Sequence, residues 1–297
     1  MLSLPWTTLA RGLWSPEQII CDYLDQPAPM EPAVHQRVQA LADDEHNPFF
    51  NGLGYRLDQF VLPSDDDKTL RLSLRPTDYF TMLSTDNALD EPITIANKKT
   101  TLREHYMADD DMRVCPPKGI ASFVGFTLQI ITSDNKSVLS RRGATATSAH
   151  TMFTSLAESC SRPEDEVIPG VPDITHAAVR GLYEEYAICV HESVIEWVAF
   201  GANHIFGEYN LVGLVQLDLT STEFAQYLNA GEDSWEREES HLVTFNPEQV
   251  VQFMNANCPW TTLGVATIYE TLLARFDEGY VADSFTALDL SVIDTRL

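Results

Sequence analysis

Arg180, Glu184 and Glu185 stand close together in the chain, with His176 a short step ahead of them. His176, Arg180 and Glu184 recur at the spacing that brings side chains to one face of a helix. Such a pattern can handle cations and protons, or it can be a plain surface ion pair of the i,i+4 kind. A second basic pair, Arg141 and Arg142, ends a stretch of β-type residues. Guanidinium forks match phosphate oxygens, so this pair is a candidate phosphate grip, with an ordinary surface pair as the alternative. Other chemistries find no support, since there is neither a Gly-x-Ser-x-Gly turn nor a glycine-rich phosphate loop. His150, His176, His191, His204 and His241 share no ligand spacing on one element; His176 alone is placed to shuttle a proton, or simply to face solvent. The cysteines Cys21, Cys115, Cys160, Cys189 and Cys258 are scattered and form no Cys-x-x-Cys pair. That argues against a disulfide framework or a structural zinc site, and for a reducing compartment.

The elements that must hold these residues can be read from periodicity. Residues 16–25 and 32–42 place apolar side chains at helical intervals, with Ser15 as an N-cap for the first. Alternation over 55–62 and 70–74, around a turn containing Asp65, Asp66 and Asp67, predicts a β-hairpin with an acidic, solvated tip. The same solvated reading applies to Asp109–Asp111 and to the acidic stretch 232–239. A second hairpin is expected from 120–131 and 137–142, followed by a short strand at 152–156. A helix beginning near Asp173 or Thr175 carries the candidate residues. Two β-type runs, 194–206 and 209–219, come next, then a helix over 221–230, a strand over 241–245, and helices over 247–255 and 261–276. Trp197, Phe200, Phe206 and Tyr209 in or between those runs read first as core, with base stacking as the alternative.

The segment Arg180-Gly181-Leu182-Tyr183-Glu184-Glu185-Tyr186-Ala187-Ile188 resembles the second half of the Nudix box, GX5EX7REUXEEXGU, where U is aliphatic. Arg180, Leu182, Glu184, Glu185 and Ile188 match; Gly181 and Ala187 depart from it. The resemblance implies an α/β (α+β) fold in which a mixed β-sheet is sandwiched by helices. Residues 116–297 would form that domain, and 1–115 an N-terminal extension of helices and a β-hairpin. It also implies Mg²⁺ or Mn²⁺ as cofactor, because three glutamates on one helical face can hold hard cations that bind diphosphates and generate hydroxide. Here Gly181 removes one of the three. Glu184 and Glu185 remain as expected catalytic and metal-binding residues, and Glu158, ahead of the helix, is the best substitute for the third, before Glu164 and Glu166. Upstream of Arg180 the box positions for Glu and Gly hold Pro172 and Glu166, so the loop register differs. Arg141, Arg142 and Arg180 are the expected substrate-binding residues.

The balance of 19 Lys+Arg against 44 Asp+Glu gives a net charge of -25. So negative a protein repels nucleic acid and anionic lipid, although one pocket can still take a nucleotide-type small molecule. The N-terminal residues lack a basic region and a long apolar run, and no apolar stretch is long enough to span a bilayer, so a cytoplasmic chain without a membrane anchor is expected. Three functions stay open. One is a metal-dependent hydrolase of the pyrophosphate bond in a nucleoside diphosphate linked to another moiety. Another is a catalytically silent Nudix-like domain that senses such a ligand. The last is an interaction module whose acidic surface meets a basic protein partner; a homo-oligomer also stays open.

Overall fold

The computed structural model describes residues 4–108, 111–144 and 151–294. Asp109, Asp110 and His150 lie outside the described residues. The chain opens with strand β1 (Trp6–Trp14), a 3₁₀ turn (Pro16–Gln18) and strand β2 (Ile19–Tyr23). The helix expected over 16–25 is therefore replaced by a strand. Ile19, Ile20 and Tyr23 suit a pleated surface, and pairing of Ile19 to Tyr23 with Leu70 to Leu74 outweighs the helical spacing. Helix α1 (Pro32–Asp43) forms as expected, with proline in its first turn. Strands β3 (Leu53–Val61) and β4 (Leu70–Asp78) make the predicted hairpin, to which β2 adds in parallel, and the Asp65–Asp67 tip is exposed. Helix α2 (Tyr79–Ser84) follows, N-capped by Asp78.

The larger sheet is built from β5 (Val124–Ile131), β6 (Lys136–Arg142), β7 (Phe153–Thr154) and β8 (Leu156–Ser159). After helix α3 (Ile174–Tyr186) come β9 (Ile195–Asn203) and β10 (Glu208–Gln216). The rest of the chain holds α4 (Ser221–Phe224), β11 (Arg237–Thr244), α5 (Pro247–Ala256), β12 (Trp260–Thr261), α6 (Thr262–Leu273), α7 (Glu278–Phe285) and β13 (Ile293–Asp294). The strand order is β1-β9-β10-β5-β6-β7-β12-β13, with β8 paired to β5 and β11 to β6. β10 runs parallel to β5, and β9 antiparallel to β10, so the sheet is mixed.

Every residue of β5 is buried, as expected of a strand covered on both faces. Helix α3 packs on β5 and β8, while α6 packs on β5, β9 and β10. The core divides accordingly. Phe126, Leu128 and Trp197 meet Ala178, Leu182 and Tyr186 of α3, whereas Val212 and Leu214 meet Val265, Ile268 and Leu272 of α6. The fold is thus the expected α/β arrangement of a mixed sheet between helices.

Two further features depart from the sequence reading. β1 pairs with β9, Trp6 opposite Asn203 and Arg11 opposite Ala199, and an Arg11–Glu270 ion pair at 2.6 Å ties it to α6. Residues on both sides of position 115 therefore share one sheet. The helix expected over 221–230 stops at Phe224, because the chain turns to lay Gly231 against the C-terminal end of α3. Among the described residues no helix is long and apolar enough to cross a membrane.

Candidate functional site

Helix α3 begins at Asp173, whose carboxylate accepts from the backbone of Thr175 and His176. Ile174, Ala178, Leu182 and Tyr186 recur along its buried face. This fixes the rotation of the helix, and with it the directions of Arg180, Glu184 and Glu185. The helix ends at Ala187, which adopts the left-handed conformation with φ 55°. The box has glycine here, and the backbone keeps the geometry that glycine serves.

Arg180 grips the buried Asp165 with two hydrogen bonds, 2.8 and 2.9 Å, and gives a third to Glu184 at 2.5 Å. A further bond to the Ser159 carbonyl ties the loop before α3 to the helix. Glu185 turns inward and is 6% exposed. It accepts from Arg237 at 2.5 Å, and the same guanidinium also donates to the carbonyls of Glu185 and Leu228. Arg237 further lies 3.8 Å from the Tyr186 ring centre, so it is enclosed as well as paired. A Cβ on Gly231 would come within 2.2 Å of the Glu184 carbonyl oxygen, so only glycine allows this segment so close. The acidic stretch 232–239, expected to be a solvated run, therefore includes a buried cap on the end of α3. A cation there also favours the helix C-terminus electrostatically.

Glu158 sits across from Gly181. A Cβ built on Gly181 would lie 3.1 Å from Glu158 Cγ, so the glutamate of β8 leans over the position left empty on the helix. Burial, then repulsion from Glu185, pushes the Glu158 carboxyl up to about 8. Burial raises Glu185 to about 7 against the pull of Arg237, and it raises Glu184 and Glu236 as well. Glu158, Glu184 and Glu185 are thus brought into one electrostatic neighbourhood. Among the described residues, however, no three His, Cys, Asp or Glu side chains are grouped so as to hold a metal ion. Glu184 is engaged by Arg180 and Glu185 by Arg237.

The remaining candidates separate. Arg141 pairs with Glu239 at 2.8 Å and stacks over Phe153, away from the helix. Arg142 pairs with Glu236 at 3.4 Å and borders a cavity. His176 lies 3.6 Å from Glu192 near the surface. Glu166 accepts from the Gly170 N–H, from Tyr55 and from Arg162, which hold it down to about 2.

The cavity, about 280 Å³, opens where β5 begins, between the N-terminal end of α6 and the β9–β10 turn. Its border includes Glu158, Arg142 and Glu236 on one side and Asn203, Glu208 and Asn210 on the other. Asn210 lies opposite Gly125 of β5, and Thr127, two residues on, bonds to Thr267 of α6. This part of the wall therefore belongs to the α6 face. Glu208 keeps some surface open to the cavity, yet surrounding protein raises its carboxyl to about 7, while Asn203 donates to it at 2.9 Å. The amide nitrogen of Asn210 and the hydroxyl of Thr262 are buried without a hydrogen-bond partner. Phe206 borders the same space, whereas Trp197, Phe200 and Tyr209 are fully buried core.

Asn203, Glu208, Asn210, Thr262 and Arg237 were not recognisable as site residues in the sequence. The one available signal was the two-residue spacing of Glu208 and Asn210 on a strand.

No protein-family model matches this chain, and no curated protein matches it. Partial likeness is found to two solved structures. One is DR0079 from Deinococcus radiodurans, at 11% identity and a TM-score of 0.34, covering 45% of this chain and 73% of that one. The other is a MutT/nudix family protein from Enterococcus faecalis, at 11% identity and a TM-score of 0.29, covering 41% of this chain and 43% of that one.

Proposed function

We propose that this chain is a catalytically silent Nudix-like domain that binds a small nucleotide-type ligand in the cavity beside α6. The observation that carries this reading is the state of the box helix. Glu184 is held by Arg180, Glu185 is buried under Arg237, and the third position is Gly181. A carboxylate engaged by a guanidinium has fewer lone pairs free for a cation, and Glu185, buried under Arg237, is the less available of the two, since breaking a buried pair costs several kcal/mol, about 3–5. The cavity offers the complementary argument. It is concave, bordered by aromatic and polar groups, and includes buried polar atoms that lack partners. Glu158 and Glu208, raised to about 8 and about 7, carry less than full charge near neutrality and repel an anionic ligand less than their number suggests.

One observation favours the hydrolase instead: Glu158 leans over Gly181, where a substitute carboxylate would be needed. Isothermal titration of nucleosides and nucleotides with and without Mg²⁺ or Mn²⁺, paired with a phosphate-release assay, separates the two. Binding without turnover, unaffected by Glu184→Gln, is the expected result. Metal-dependent release of phosphate that Glu184→Gln or Glu158→Gln abolishes would overturn the silent reading. Glu185→Gln is the less informative variant, since it disturbs the Arg237 cap.

A further inference from the structure

Resting on the binding reading above, we propose that Glu208 and Asn210 recognise the edge of a nucleobase that presents an N–H donor beside an acceptor. The two residues stand two apart on β10, so both project to the same face of the strand. Asn210 is only 4% exposed. Its Oδ1 lies 2.8 Å from where a Gly125 Cβ would stand, which leaves the carboxamide packed against the backbone of β5. Its Nδ2 is close enough to Glu208 to lower that carboxyl slightly, yet it makes no hydrogen bond of normal geometry. Glu208 Oε1 is taken by Asn203, and Oε2 receives no hydrogen bond from the described residues. The wall thus presents an amide N–H without a well-formed hydrogen bond next to a carboxylate oxygen that none of the described residues engages with normal geometry.

A buried amide N–H without a partner costs about 1–3 kcal/mol, and such groups are uncommon in folded proteins. A ligand that places an acceptor against Asn210 and an N–H against Glu208 removes that cost in one docking event. Flat heterocyclic edges of this kind occur in nucleobases, and Phe123 and Phe206 on the cavity border offer aromatic surface to such a ring. At about 280 Å³ the space is at the small end for ligand pockets, suited to one nucleoside and not to a dinucleotide.

The test compares inosine and adenosine, which carry the paired edge, with purine riboside, which lacks the N–H donor, and with ribose 5-phosphate, which lacks the base. Isothermal titration is run on the wild-type chain, Glu208→Gln and Asn210→Ala, with thermal unfolding as a check on folding. Inosine or adenosine should bind the wild type at least about ten-fold more tightly than purine riboside, because a site built for a hydrogen bond rejects the analogue lacking it. Glu208→Gln keeps the shape but turns a donor toward the ligand once its oxygen accepts from Asn203. Each variant should therefore lose about ten-fold or more in affinity while its unfolding midpoint stays near wild type. Equal binding of purine riboside, or undiminished affinity in both variants, overturns base-edge recognition while leaving a nucleotide-binding domain intact. Failure of every nucleoside and nucleotide to bind the wild type removes both readings. If the variants fail to fold, the purine riboside comparison on the wild type decides alone.

Discussion

The two faces of the central sheet treat their carboxylates and amides differently, although Arg237 Nε on the α3 face is itself buried without a partner among the described residues. On the α3 face Arg180 satisfies Asp165 and Glu184, and Arg237 satisfies Glu185, a backbone carbonyl of α3 and one from Leu228. On the α6 face the amide of Asn210, near Glu208, and the hydroxyl of Thr262 are buried beside a cavity and make no hydrogen bond of normal geometry among the described residues. A protein whose polar groups are bonded internally has little left to offer a ligand, while one that leaves them unpaired has given up stability at that place. The residues most conspicuous in the sequence are therefore the ones most occupied with holding the fold.

The sharpest way to break this contrast is to remove Arg237. Arg237→Ala leaves the Glu185 carboxyl buried without its cation, and the carbonyls of Glu185 and Leu228 without their donor. Loss of one partner from a buried pair predicts a fall of about 3–5 kcal/mol in unfolding free energy, measured by urea denaturation. A loss under about 1 kcal/mol would mean that the pair behaves as an exposed one and that Glu185 is available for other work.

A smaller effect follows from Glu158. Its carboxyl stands at about 8 in the folded chain against an ordinary value of 4.5, so the native state holds a proton that the unfolded state releases. Stability is then full below about pH 4.5, falls as the pH rises toward 8, and levels above it. Glu158→Gln removes this contribution. Its unfolding midpoint should match wild type in acid and exceed it by a few degrees above pH 8, as followed by circular dichroism. A variant curve parallel to wild type across that range would show that Glu158 is solvated and free to act as a carboxylate.

The legible parts of the molecule were those written in local periodicity. The helix expected from near Asp173, the alternation of 70–74 and the apolar helix after Thr261 all fall where the chain places α3, β4 and α6. Residues 19–23 form a strand and not the expected helix because a partner far along the chain decides their conformation. The pairing of Arg237 with Glu185 is likewise tertiary, and in sequence Arg237 is hidden among acidic neighbours. Asn203, Glu208 and Asn210 come together only because β9 and β10 pair with Asn203 opposite Glu208. No helical or strand pattern announces an unpaired amide, since being unpaired is a property of the surroundings.

On the α6 face the expected change has the opposite sign. Thr262 is 3% exposed and its hydroxyl is unsatisfied, so Thr262→Val keeps the shape and removes the orphaned group. Thermal or urea unfolding should show a gain of about 1 kcal/mol. A loss of similar size would reveal a partner for the hydroxyl and weaken the contrast between the faces.

The smallest effect concerns Gly181, where the two faces of the argument meet. Alanine in a helix interior is favoured over glycine by about 1 kcal/mol, but the new methyl would stand 3.1 Å from Glu158 Cγ and 3.6 Å from Leu156 and Phe126. The flexible glutamate can yield by a few tenths of an ångström, so Gly181→Ala should gain less than that full amount. In a Glu158→Ala background the obstacle is gone and the full gain of about 1 kcal/mol should appear. The difference between the two backgrounds measures how firmly Glu158 occupies the place over the helix. Equal gains would mean that Glu158 spends little time there, which removes the one geometric argument for a substitute carboxylate. A loss in the first background with a gain in the second would mean a rigid Glu158, fixed where a third metal ligand would have to be.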